Sequence, residues 1–354
     1  VRIIDTPDSR AQTAAKRPIK LKGEKLSRAD IEAGFLTVSK ALDAMGVSLN
    51  APGLRAQIEN LESEQQSHSF WQDRGEATTR LRALEDARRI TGRLDRIGAQ
   101  IQAASHQLES SDSRETVKKV GYQLFQMRQR LARAQRELVY LGTDGYWDAL
   151  VEVTPAAGDQ VSSVSHLIRL YQGWSDAHGA DCQWLRIPVR STEPALLLIK
   201  GHYAYGYLQG EAGLHRIVGP DGQGAARIRV IPWRDTAPAL KIDFLDSRAI
   251  KGTEAYGQKV RSRLECPHGM VLQNGNTLAE NQNLARELFP CWPKVDSPST
   301  VIVRRYQLDP IHIRDAETGW STGRTDALSG GSIHELLSLR VDRLRGRKKE
   351  SLET

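Results

Sequence analysis

Tyr203-Ala204-Tyr205-Gly206-Tyr207-Leu208, then Gly213-Leu214-His215-Arg216-Ile217-Val218, then Gly219-Pro220-Asp221-Gly222-Gln223-Gly224: this succession, inside Gly201–Gln258, decides how the chain is read. A compact aromatic block leads into a short apolar alternation and then a glycine-rich segment, which predicts a flexible loop. Behind it, Ala226-Arg227-Ile228-Arg229-Val230-Ile231-Pro232 alternates apolar and polar residues, the pattern of a half-buried strand. After a turn, Leu240-Lys241-Ile242-Asp243-Phe244-Leu245 predicts a second strand, and the polar run Asp246 to Gln258 a second loop. The stretch therefore predicts a sheet that carries two loops.

Towards the N-terminus the period changes from two to about 3.6. Ser27, with Asp30 and Glu32 behind it, predicts a helix start, and Ile31, Phe35, Val38, Leu42 and Met45 its apolar stripe. A second helix follows Pro52, and Ser67 to Asp73, including Phe70 and Trp71, interrupts the pattern. Two long stripes then run from Leu81 to Leu108 and from Val117 to Leu141, separated by Ser110-Ser111-Asp112-Ser113, which predicts an antiparallel helical hairpin. Arg128, Arg130, Arg133 and Arg136 fall mostly off the stripe, on a face that is solvated or touches RNA.

From Gly142 onward strands and helices mix. Leu150–Val153 predicts a strand, 160–179 a helix, and Trp184–Val189 and Leu196–Lys200 two further strands. Beyond the central stretch come a strand at Gly269–Gln273, a helix from about Leu278 to Phe289, strands at Val301–Val303 and Ile311–Ile313, and a last helix capped by Ser332. That helix runs into Arg345-Gly346-Arg347-Lys348-Lys349, a phosphate-contacting tail or a solvated basic helix end. The fold class is α+β and multidomain: a basic tail over 1–26, a helical domain over 27–142, a central mixed α/β domain over 143–238 and 296–354, and an inserted small α/β domain over 239–295.

Composition narrows the function. The chain has 354 residues, of which 26% are charged and 39% hydrophobic, and a net charge of +7, a balance that favours a polyanionic partner, RNA first. No apolar run reaches the length of a transmembrane helix. Cys182, Cys266 and Cys291 are too few and too scattered for a disulfide framework or a zinc site, which predicts a reducing compartment: the cytoplasm, or an organelle interior if the basic tail is a transit segment. His166, His178, His202 and His215 show no metal-ligand spacing, and neither a serine-nucleophile elbow nor a P-loop occurs. No metal and no cofactor is expected.

The order of these blocks resembles the bacterial class I peptide chain release factors, the UGA-reading branch best, over nearly the whole chain after residue 27. Supporting segments are the break at Phe70, Trp71 and Asp73, the run Val151-Glu152-Val153 with Ala157-Gly158-Asp159 and Trp174, and Val303-Arg304-Arg305-Tyr306-Gln307-Leu308-Asp309 followed by Arg314-Asp315. The resemblance implies that the segment after His215-Arg216-Ile217-Val218 corresponds to the loop that reads the stop codon. It also implies that the segment after Leu240-Lys241-Ile242-Asp243 corresponds to the loop whose Gly-Gly-Gln acts on the peptidyl-tRNA ester.

Both chemical tips depart from that pattern. Neither Ser-Pro-Phe nor Gly-Gly-Gln occurs in the sequence. Base stacking and edge reading need aromatic rings and placed donors, and Gly222, Gln223 and Gly224 supply neither a stacking ring nor a rigid frame. At the second tip, counting forward selects Lys251-Gly252-Thr253, whereas matching the motif selects Gly257-Gln258-Lys259-Val260-Arg261. Gly257 and Gln258 are the catalytic candidates. His215, Arg216, Pro220, Gln223, Arg227, Arg229, Lys251, Lys259, Arg261, Arg347 and Lys348 are the RNA-binding candidates, His215 and Arg216 being equally readable as buried sheet residues. The partners implied are the ribosome or its RNA, with tRNA or mRNA beside it. Three readings follow: a ribosome- or RNA-binding relative of the release factors without stop-dependent hydrolysis, an ester hydrolase acting through Gly257 and Gln258, and a protein-binding scaffold that uses the helical hairpin.

Overall fold

A computed structural model of the protein describes residues 27–137 except 112, then 140, 145, 147–156, 158, 162–220 except 191, 222–233, 242–293, 301–330 and 333–353. The expected tail over 1–26, Ala157 and Asp159, the Leu240-Lys241 start of the second strand and the Ser332 cap lie outside these residues. The contacts divide the chain into two units at the end of the fourth helix, Val1–Arg136 and Glu137–Thr354.

In the first unit, α1 (Arg28–Ser48) starts where the capping residues require. Ser27 Oγ accepts from the Asp30 amide at 3.2 Å while the Asp30 carboxylate accepts from the Ser27 amide at 3.0 Å, satisfying two donors that the first turn leaves free. Asn50 caps α2 (Ala51–Gln65), and Asp73 caps α3 (Arg74–Ser110) through the Glu76 amide at 3.0 Å. Between them the 3-10 turn His68–Trp71 buries Phe70 and leaves Trp71 53% exposed, its indole donating to the Gln65 carbonyl at 3.0 Å. Leu84, Leu94, Ile97, Ile101 and Leu108 of α3 and Val120, Leu124, Met127 and Leu131 of α4 (Arg114–Glu137) are buried, as the stripes predict. Arg130 donates to Gln100 at 2.8 Å, tying the returning helix to its predecessor.

In the second unit the described strands form one eleven-stranded sheet in the order β11-β10-β9-β4-β5-β1-β3-β2-β8-β7-β6. Its members are β1 (Asp148–Pro155), β2 (Asp181–Arg186), β3 (Ala195–Lys200), β4 (Gly213–Gly219), β5 (Gly222–Trp233), β6 (Asp246–Ala255), β7 (Gln258–Glu265), β8 (Val271–Asn274), β9 (Ile302–Leu308), β10 (Ile311–Asp315) and β11 (Ser321–Thr322). Helices α5 (Ser163–His178), α6 (Ala204–Leu208) and α8 (Ile333–Glu353) cover one face with Leu167, Tyr171, Trp174, Tyr207, Leu336 and Leu337, packed against Val151, Leu197, Ile199 and Ile217. Helix α7 (Leu278–Leu288) belongs to a second core on the other face, where Leu150, Leu196, Leu198 and Trp233 meet Leu264, Leu272 and Leu288. Strand β3 is buried on both faces, which is why Ala195–Ile199 is an unbroken apolar run rather than an alternation.

Three expectations about this unit need correction. Gly219–Gly224 is not a flexible loop: β4 and β5 pair through Val218↔Gln223 and Gly219↔Gly222, with Pro220 in the turn between them. Asp246–Gln258 is likewise not a loop, since β6 occupies most of it and pairs with β7. Conversely, Ile242–Phe244 is not in a strand. Ile242 is buried and Phe244 packs beside it against the second core, so their alternation reports burial rather than pairing. Among the described strands β6 pairs only with β7, and it is largely exposed, so no core imposes an apolar period on it.

Candidate functional site

The two tips that the sequence singles out are both tight hairpins. The first projects from the middle of the sheet. Arg216, Pro220 and Gln223 are exposed on it, and Val218 is 49% exposed. A two-residue connection has no room for an extended reading loop, and it presents a proline ring and a glutamine where stacking would need an aromatic ring.

The second tip is the turn Tyr256-Gly257 between β6 and β7. Ala255 pairs with Gln258, and both central residues are left-handed, Tyr256 at φ 54° and Gly257 at φ 68°. This is the primed turn that matches strand twist, and it favours glycine at the second position. Gly257 is thus explained by the turn itself. Gln258 opens β7, exposed, with its backbone committed to the ladder. Tyr256 fixes the tip sideways: its hydroxyl lies 2.7 Å from Ser165 Oγ on α5, and its ring 5.3 Å from that of Trp184 on β2. The alternative position, Lys251-Gly252-Thr253, lies in a bulge, where the register slips between Ala249 and Thr253 and Gly252 takes φ 71°. Lys251, Lys259 and Arg261 are exposed around this hairpin. The glutamine and the basic residues are therefore brought together, but without a second glycine amide beside them.

His215 requires a correction. It is fully buried and presents nothing to a ligand. Its Nε2 lies 3.0 Å from the Glu211 carbonyl and its Nδ1 3.1 Å from the Tyr306 hydroxyl. A carbonyl only accepts, so Nε2 carries the proton and Nδ1 accepts from Tyr306, whose oxygen in turn accepts from Arg304 Nη1 at 3.1 Å. Burial pushes the imidazole down to about 4, and the Arg304 and Arg340 charges work in the same direction against the pull of Glu211.

His215 belongs to a buried charged network. Glu211 accepts from Tyr171 at 2.9 Å, from Arg340 at 2.6 Å and from Arg304. Arg340 also binds Asp315, whose carboxylate caps the following turn by accepting from the Thr318 amide and hydroxyl at 2.7 Å each. Burial alone would raise the Glu211 carboxyl, but the guanidiniums of Arg304 and Arg340 outweigh it and hold the group at about 2. The network joins β4, β9, β10 and α8 under the first hairpin and so fixes its base. Sequence reasoning missed it, because Glu211, Asp315 and Arg340 are far apart in the chain and look like surface charges until the register is known.

Arg227 is half-buried. Arg229 is engaged within the protein: it pairs with Glu152 at 2.7 Å and stacks 4.6 Å over Trp292. Arg347 and Lys348 lie on α8 beyond the residues whose side chains are described. Among the described residues, no cluster of three or more His, Cys, Asp or Glu side chains could hold a metal, and no helix is long and apolar enough to cross a membrane.

Comparisons with known proteins extend this picture. Residues 54–222 match the PCRF domain. The chain is 31% identical over 186 residues to peptide chain release factor 2 of Thermomicrobium roseum, a match spanning about half of each protein (50% and 49%). It is 25% identical over 345 residues to peptide chain release factor 2 of Helicobacter pylori, covering 83% of this chain and 93% of that one. Its fold is similar to that of RF2 of Thermus thermophilus, with a TM-score of 0.54 at 19% identity, over 87% of this chain and 99% of the other. With the helices followed by the central sheet, and the His215-Arg216 block in place, the chain is similar in sequence and in fold to the peptide chain release factors.

Proposed function

We propose that this protein is a ribosome-binding translation factor that docks at the decoding site, or on another structured RNA, without catalysing stop-codon-dependent peptide release. It would protect, stall or regulate translation. The observation that carries the reading is the closure of both tips into two-residue turns on an otherwise retained scaffold. Similarity to the release factors and the +7 charge support the ribosome as partner. Hydrolysis of an ester needs donors aimed at the developing oxyanion and a positioned water. One glycine amide inside a turn and a glutamine in a strand ladder supply less than that. The experiment is peptide release from ribosomes programmed with each stop codon, run beside a pelleting assay for ribosome binding. Binding without release is expected, and stop-dependent turnover at the rate of an ordinary release factor overturns the reading.

A second reading rests on the exposure of Gln258 beside the left-handed Gly257 at the end of the hairpin. It makes the protein a hydrolase of peptidyl- or aminoacyl-tRNA esters. It requires that the intact chain hydrolyse such an ester and that Gln258→Ala abolish the activity; equal rates for the two proteins refute it.

A further inference from the structure

The face of the sheet turned away from α5, α6 and α8 carries a feature that neither hairpin turn explains. In the ladder, Arg216 of β4 stands beside Arg305 of β9, and Arg305 stands opposite Arg314 of β10. All three are exposed, while the alternate residues Ile217, Tyr306 and Ile313 are buried on the other face. Neighbouring strands are about 4.8 Å apart, so the three guanidiniums sit on a row about 10 Å long. Among the described residues none of the three has a hydrogen-bond or ion-pair partner, whereas Arg229, Arg304 and Arg340 of the same unit are all paired. The adjacent rung on the same face is Gln223, Val218, Gln307 and His312, and Ser321 flanks Arg314. No carboxylate occupies any of these ladder positions.

Like charges directly opposite one another destabilise a sheet. The row therefore works against the fold unless an anion neutralises it, and no described residue does so. Guanidiniums bind phosphate oxygens in bidentate geometry and shed water more readily than ammonium groups. An acidic protein surface is the weaker fit, because a stable protein interface needs an apolar or aromatic centre and this face offers only Val218 between glutamines and a histidine. We propose that the outward face of β4, β9 and β10 binds an RNA phosphate backbone, with Arg216, Arg305 and Arg314 on successive phosphates and Gln307 and His312 as neutral donors beside them. The assignment goes beyond the function above, since it concerns a sheet face rather than either tip and requires neither codon reading nor hydrolysis.

The test measures binding of a labelled single-stranded RNA oligonucleotide of mixed sequence by fluorescence anisotropy across a KCl series, with circular dichroism confirming that each variant is folded. Each arginine on a phosphate contributes about 0.7 to the slope of log affinity against log salt. The triple variant Arg216→Ala, Arg305→Ala, Arg314→Ala is expected to lower that slope by about 2, and each single variant by about 0.7. Arg248→Ala, on β6 at the opposite edge of the sheet, is expected to leave it unchanged. A triple variant that keeps the parental affinity and slope overturns the proposal. So does an equal loss in Arg248→Ala, which would reduce the effect to net charge, and so does displacement of the RNA by polyglutamate as effective as displacement by unlabelled RNA. Failure of the intact chain to pellet with ribosomes would sink the proposed function and leave this slope unaffected.

Discussion

His215 makes the stability of the second unit fall in mild acid, and the window can be worked out from its surroundings. Its ring is fully buried between the Glu211 carbonyl and the Tyr306 hydroxyl, and burial lowers its pKa from the ordinary 6.5 to about 4. The unfolded chain therefore takes up a proton between pH 6.5 and 4 that the folded chain refuses. Stability rises with pH wherever the unfolded state binds more protons, so the contribution is complete above 6.5, is lost as pH falls to about 4, and is constant below. At about 1.4 kcal/mol per pH unit, the gap corresponds to about 3 kcal/mol. The stereochemistry agrees in direction: a protonated Nδ1 would face the Tyr306 hydroxyl with both donating, and Tyr306 would have to turn its proton away from the ring while still accepting from Arg304.

The assay is urea unfolding from pH 8 to 4, followed by tryptophan fluorescence, which reports mainly on this unit because all of the tryptophans except Trp71 belong to it. The perturbation is His215→Gln, whose amide can donate to the Glu211 carbonyl and accept from Tyr306 without titrating. The difference in unfolding free energy between parent and variant should shrink by about 3 kcal/mol from pH 6.5 to 4 and stay flat above 7. Parallel curves across that window would refute the buried neutral histidine. The Glu211 carboxyl titrates in a separate window: its lowered pKa stabilises above about 4.5, and the contribution disappears as pH falls towards about 2.

Arg340→Met strips Glu211 and Asp315 of a shared buried partner and should cost about 3–5 kcal/mol, or roughly 6–20 °C in the thermal midpoint of a unit this size, without rescue by Arg340→Lys, which cannot bridge two carboxylates in a fork. Gly257→Ala places a Cβ on a backbone at φ 68° and should cost about 1–2 kcal/mol, read as faster amide exchange in β6 and β7 with protection of β1 and β3 unchanged. Burial raises the thiols of Cys182 to about 12 and Cys266 to about 11, so iodoacetamide near neutral pH should leave both unmodified until the protein is unfolded.

The elements that the sequence made legible are those whose burial imposes a period. The apolar stripes of α3 and α4, the alternation Ala226–Ile231 and the continuous run Ala195–Ile199 each met a core on the faces they implied. Legibility failed where exposure removed the constraint. Strand β6 carries Ser247, Arg248, Lys251 and Glu254 and reads as a loop, although its backbone pairs with β7 on both sides of its bulge. Glycine misled in the opposite direction: Gly219, Gly222 and Gly224 suggested looseness but serve a closed hairpin. Of the candidate site, the exposure of Arg216, Lys251, Lys259 and Arg261 follows from their polar positions. The interior role of His215 could not be read, because a histidine on an alternating strand looks the same whichever face it takes.

Register connects these failures to the functional proposal. Arg304 and Arg305 are adjacent in sequence and point to opposite faces of β9, so pairing with β4 and β10 gives them opposite fates. Arg304 meets Glu211 and Asp315 in the interior and helps to hold the base of the first hairpin, while Arg305 joins Arg216 and Arg314 outside. A one-residue slip would exchange them, burying an arginine without carboxylates and breaking the outer row. The interior network therefore fixes the register that lines up the exterior arginines. On this view Arg340→Met should weaken RNA binding as well as stability, although Arg340 lies on the opposite face from the proposed contact. Unchanged RNA affinity in a folded Arg340→Met protein would show that the row does not depend on the network.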